Sequence, residues 1–175
     1  MSRIKISDGV VKDEVLVLGL ASTNSKGGLA IESGDMVVDT KKLITQLADM
    51  GATGKADEVI KIPGSLVRLM VFTGLGAKSA TYSHETLRRA AGSAARELHG
   101  NTSVTFSLPA RKTNEIAAVA EGAALGAYNF TAFKGSTKSN HKDPIKNITI
   151  FSKLGNNTQG KLAVSRAETI AQYAG

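Results

Sequence analysis

Cysteine and tryptophan are absent from the 175 residues, and proline occurs only three times. The lack of cysteine excludes a disulfide framework, thiolate metal sites and thiol nucleophiles together, and it fits a reducing compartment. No run approaches the roughly 18 consecutive apolar residues of a membrane span. The opening residues Met1-Ser-Arg-Ile-Lys-Ile carry no apolar core of a secretory signal. These absences predict a soluble, cytoplasmic protein without a membrane partner. Reactive motifs are missing too. No serine stands in a G-x-S-x-G elbow. His84, His99 and His141 have no ligand-like spacing, and the acids form no pair in a context that would raise a pKa or hold two metals. No catalytic and no metal-binding residue is expected in this chain.

What is present describes one ordinary domain. Hydrophobic residues make up 42% of the chain and charged residues 21%, enough for a core and normal for a globular protein. The net charge of +7 is unevenly placed. Between Lys134 and Arg166 there are seven basic residues against the single acid Asp143. Such a strip is either a solvated connection or a surface for phosphates.

Hydrophobic patterning alternates between strand and helix. Arg3 to Ser7 predicts a short strand, and the continuous apolar run Glu14 to Leu20 predicts one covered on both faces. Residues 22–35, rich in Ser, Gly and Asn, read as loop with at most a short strand. Asp39 is a candidate N-cap for a helix over Lys41 to Met50, which Gly51 stops. Strands follow at Glu58 to Ile62 and Leu66 to Phe72, separated by a Pro63-Gly64 turn. Gly74-Leu-Gly76 then reads as a turn by which the chain leaves the sheet.

Ser83 caps the best helix, whose stripe is Leu87, Ala90, Ala91, Ala94, Ala95 and Leu98. Val104, Phe106 and Leu108 alternate as a half-buried strand. A helix from Thr113 or Asn114 runs to Tyr128. A polar basic connection over 134–144 leads to a strand from Ile145 to Phe151. Last, Ser165-Arg-Ala-Glu168 has the capping-box pattern of a final helix. Strands alternating with helices from residue 58 onward predict parallel pairing and a three-layer α/β/α sandwich with a mixed, mostly parallel sheet.

The run Glu121-Gly-Ala-Ala-Leu-Gly-Ala-Tyr-Asn-Phe130 is the most informative in the chain. Gly122 and Gly126 are four apart and share one helical face. Each costs about 1 kcal/mol of helix propensity relative to alanine, so another backbone is expected close by. This run, with Phe133-Lys134 after it and with Phe72-Thr-Gly-Leu-Gly76 and Leu87-Arg-Arg-Ala-Ala-Gly-Ser-Ala-Ala-Arg96 before it, resembles the N-terminal domain of the leucyl aminopeptidase (cytosol aminopeptidase) family. The resemblance extends from about Leu16 to the last helix.

That resemblance implies a macro-domain-like fold for residues 1–162. It also implies that residues 163–175 begin a linker helix to a C-terminal catalytic domain outside this chain. In such a family the catalytic domain holds two divalent metals, manganese or zinc, and releases N-terminal amino acids from peptides; six subunits assemble as a hexamer. The family signature Asn-Thr-Asp-Ala-Glu-Gly-Arg is absent here, so no catalytic or metal-binding residue carries over. The chain itself is expected to shape subunit assembly and access to the active sites.

Two other readings remain open. The resemblance implies DNA binding for some members of the family, and the basic strip offers Lys134, Lys138, Lys142 and Lys146 as phosphate contacts. A macro-type fold implies nucleotide or ADP-ribose binding, for which Ser25-Lys-Gly-Gly28 and Gly74-Leu-Gly76 are the candidate loops.

Overall fold

The computed structural model of the chain describes residues 2–9, 11–65, 67–128, 143–155 and 158–174. It is an α/β protein whose seven-stranded sheet has the order β1-β7-β6-β2-β5-β4. The strands are β1 (Arg3–Ser7), β2 (Val15–Ser22), β3 (Leu29–Glu32), β4 (Val59–Pro63), β5 (Leu69–Ala77), β6 (Ser103–Ser107) and β7 (Asn147–Phe151). The helices are α1 (Lys41–Asp49), α2 (His84–Arg96), α3 (Thr113–Ala127) and α4 (Thr158–Ala174). Pairing is parallel from β1 through β5. Two antiparallel additions make the sheet mixed: β4 on β5, and β3 on the distal half of β2. The stretch between β4 and β5 is too short for the dozen or more residues of a crossover, so the two strands pair as a hairpin.

The central strand β2 is buried along nearly its whole length, as its unbroken apolar run requires. Val15, Val17 and Ala21 face a cluster built on α2, α3 and α4. Leu16, Leu18 and Leu20 face a second cluster, where Phe72, Ile62 and Leu47 of α1 complete the core. Three helices therefore cover one face and α1 only part of the other.

Several boundaries depart from the sequence expectations. β5 starts at Leu69 rather than Leu66 and runs on through Gly74-Leu-Gly76, which is strand and not an exit turn. Gly74 lies against the Lys55 carbonyl, where an added Cβ would come within 1.7 Å of the oxygen; only glycine lets the two backbones approach so closely. The N-cap of α1 is Thr40, with Asp39 one residue early. β6 is buried on both faces rather than one. Its polar residues are satisfied there: Thr105 donates to Asp13 Oδ2 at 2.7 Å, and Ser107 to the Ser33 carbonyl at 2.6 Å.

The Ser165–Glu168 capping box does not form. Ser165 lies inside α4, which begins at Thr158, and Glu168 Oε2 instead accepts from the Ile4 backbone N–H at 3.0 Å. The apolar stripe of α4, with Ala163, Val164 and Ala167 buried, begins before the expected cap, so the packing extends the helix backwards.

The glycines of α3 face a backbone as expected, and that backbone is α2. A Cβ on Gly122 would lie 2.1 Å from the Arg88 carbonyl oxygen, and one on Gly126 2.4 Å from that of Gly92. Around this crossing, Arg88 Nε donates to Glu121 Oε2 at 3.1 Å, and His99 Nε2 lies 3.0 Å from the Gly126 carbonyl. Among the described residues, no helix is long and apolar enough to cross a membrane.

Candidate functional site

In open α/β sheets, ligands bind outside the carboxyl ends of the parallel strands. At that edge, where β5 and β6 end, lies a cleft of about 340 Å³, with Glu32, Ser33, Thr81, Arg111, Lys112 and Glu115 among its walls. Glu32, Arg111 and Glu115 are already engaged. Glu115 is buried at the start of α3, and its Oε1 accepts from the backbone N–H groups of Arg111 at 3.2 Å and Lys112 at 3.0 Å. The positive end of α3 is thus occupied by the protein's own carboxylate, which an incoming phosphate would have to displace. Arg111 Nε stands 3.7 Å from Asp35 Oδ1. The Tyr82 hydroxyl donates to Glu32 Oε2 at 3.2 Å and accepts from the Ser79 N–H at the same distance. Burial raises the Tyr82 pKa further above its usual value, so the phenol stays neutral.

Neither glycine loop is a phosphate cradle. The Gly74 N–H donates to the Glu58 carbonyl and the Gly76 N–H to that of Gly54. Ser25 to Gly28 closes the β2–β3 hairpin, with Thr23 N–H bound to the Gly28 carbonyl and Gly28 N–H to that of Ser25. The amides of Gly28, Gly74 and Gly76 are thus spent on backbone pairing.

Of the four lysines considered for nucleic acid, Lys134, Lys138 and Lys142 lie outside the described residues. Lys146 is exposed just before β7. His141 also lies outside. His84 and His99 sit at opposite ends of α2, too far apart to act together.

Most acids in contact with basic groups serve the fold. Asp57 adopts a positive φ of 70°, which aspartate tolerates better than most side chains. Its Oδ1 accepts from Arg89 Nε at 2.9 Å and from Ser93 Oγ at 3.0 Å, and its Oδ2 meets the other arm of the guanidinium. The Arg89 and Ser93 hydrogen bonds hold the Asp57 pKa below the usual carboxylate range. No local sequence signal marks Asp57, because its partners come from a helix some thirty residues on.

Among the described residues, no group of three or more His, Asp or Glu could hold a metal ion. Asp35, Asp57, Glu115 and Glu121 are committed to arginines or backbone amides, so the described residues do not fit such a centre.

A model of the cytosol aminopeptidase family, N-terminal domain, matches residues 17–137. The chain belongs to that family. A probable cytosol aminopeptidase of Streptomyces griseus is 43% identical over 136 residues, covering 71% of this chain and 26% of that protein. One from Streptomyces avermitilis is 34% identical over 178 residues, covering 93% of this chain and 35% of that protein. The chain therefore spans about a quarter to a third of the length of these relatives. Among solved structures, the bottromycin maturation enzyme BotP superposes with a TM-score of 0.60 at 18% identity, over 91% of this chain and 30% of that one. A tomato leucine aminopeptidase variant gives 0.59 at 17% identity, over 98% and 36%. At these identities the structural likeness speaks for the fold. Leu87–Arg96 of α2 and Glu121–Ala127 of α3, which carried the resemblance, lie on helices that pack against each other in this fold.

Proposed function

We propose that this chain is the non-catalytic N-terminal domain of a two-metal aminopeptidase that removes N-terminal residues from peptides in the cytoplasm. The observation that carries the reading is the family match over residues 17–137. It is supported by two relatives named probable cytosol aminopeptidases, 43% and 34% identical to this chain. The manganese or zinc pair belongs to a catalytic domain to which residues 163–175 lead. This domain's own work is to set the contacts of subunits in a hexamer and to limit which peptides reach the active sites.

The chain alone, incubated with leucine-p-nitroanilide and manganese, is expected to release no p-nitroaniline. Turnover abolished by a chelator would overturn the non-catalytic assignment. In the full-length parent, deleting this domain is expected to lower the number of subunits per oligomer, taken as the light-scattering mass divided by the shortened subunit's mass. An unchanged hexamer would remove the assembly role.

A further inference from the structure

The sheet face opposite α2, α3 and α4 is split in chemistry. One cross-strand row runs Lys5, Thr149, Thr105, Leu16, Met70 and Ile62 across β1, β7, β6, β2, β5 and β4. Its apolar half belongs to the cluster that includes Leu47 of α1. Its polar half borders the segment between β1 and β2 and leaves a cleft of about 240 Å³.

Thr149 forms part of the wall of this cleft. It is only 6% exposed, and its Oγ1 is buried with no hydrogen-bond partner among the described residues. A buried hydroxyl left unpaired is costly and calls for an occupant. The exposed Lys5 and Lys12 line the same cleft, with their ammonium groups within a side chain's reach of it. The one carboxylate there, Asp13, already accepts from Thr105 at 2.7 Å. Ser7 Oγ likewise accepts from the Gly9 N–H at 3.1 Å. The free hydrogen-bonding capacity of the cleft is thus mainly donor, and its charge is positive.

The geometry points to a binding site for a small oxyanion, a phosphate or carboxylate group, held by the Thr149 hydroxyl and the Lys5 and Lys12 ammonium groups. Such an ion satisfies the buried hydroxyl and neutralises the ammonium pair in one step. It also ties the β1–β2 segment to the sheet through Lys12. The site is separate from the carboxyl-edge cleft and independent of the aminopeptidase reading.

The test is calorimetry and thermal denaturation of the 175-residue chain with inorganic phosphate, with acetate and sodium chloride at matched ionic strength as separate arms. Saturable phosphate binding is expected, weakened about tenfold by Lys5→Gln or by Lys12→Gln. Thr149→Val keeps the shape but removes the hydroxyl. It should leave the midpoint without ligand unchanged or raised, since the lost group has no partner, and still weaken binding on the order of tenfold. Saturable binding of acetate without phosphate would assign the carboxylate class. No saturable binding in either arm, full affinity in Thr149→Val, or a lowered ligand-free midpoint in that variant would each overturn the site.

Discussion

Gly122→Ala sets helix propensity against packing, and the two effects carry opposite signs. In an isolated helix, alanine is favoured over glycine by about 1 kcal/mol. Here the new methyl carbon would stand 2.1 Å from the Arg88 carbonyl oxygen, 2.8 Å from its carbon and 3.0 Å from its Cα. Carbon and carbonyl oxygen come no closer than about 3.3 Å in ordinary contact, so α2 and α3 must separate by on the order of 1 Å. The obstacle is helix backbone and has no rotamer to escape into. Overpacking costs about 1–3 kcal/mol, and a backbone clash this deep belongs at the upper end. Subtracting the propensity gain leaves a net loss of about 2 kcal/mol, or about 4–8 °C in midpoint for a domain of this size.

Thermal and urea denaturation of the purified chain measure the loss directly. Gly92→Ala is the matched control, since its nearest foreign atom, the Gly122 carbonyl oxygen, is 3.3 Å away. That substitution should be neutral or gain up to about 1 kcal/mol. A Gly122→Ala chain as stable as wild type, or both variants shifting alike, would refute the close-crossing account.

Asp57→Asn should destabilise at neutral pH, with the difference shrinking on acidification. The lowered pKa means that the contribution of Asp57 is present above its unfolded value of about 3.9 and lost as pH falls through the folded one; parallel stability–pH curves would contradict this. Glu14, held below its usual pKa first by the Thr102 backbone N–H, should behave the same way in Glu14→Gln. Glu115→Ala removes the acceptor at the start of α3 and should cost about 1 kcal/mol by denaturant titration. Phe106→Ala, at a fully buried position in the larger core cluster, should cost about 3–5 kcal/mol, and a loss under 1 would mean that the site collapses freely.

Much of the fold was legible because its signals are local. The unbroken apolar run of β2, the Ser83 cap and stripe of α2, and the paired glycines of α3 each state their environment within a few residues. Misreadings occurred where one pattern served two structures. Gly74-Leu-Gly76 carries turn residues, yet a strand needs glycine when a neighbouring carbonyl crowds it. Ser165-Arg-Ala-Glu168 carries a cap pattern, yet Glu168 is used by β1.

The sequence by itself determined the element types, the family and the place where two backbones must touch, because propensity, capping and small-residue spacing act between near neighbours. Tertiary structure alone decided that α1 covers only part of its face. It also decided that Asp57 meets Arg89 and that Lys5, Thr149 and Thr105 share a row. Those arrangements join residues tens of positions apart, and which partners meet is set by the global competition to bury apolar surface while pairing most polar groups.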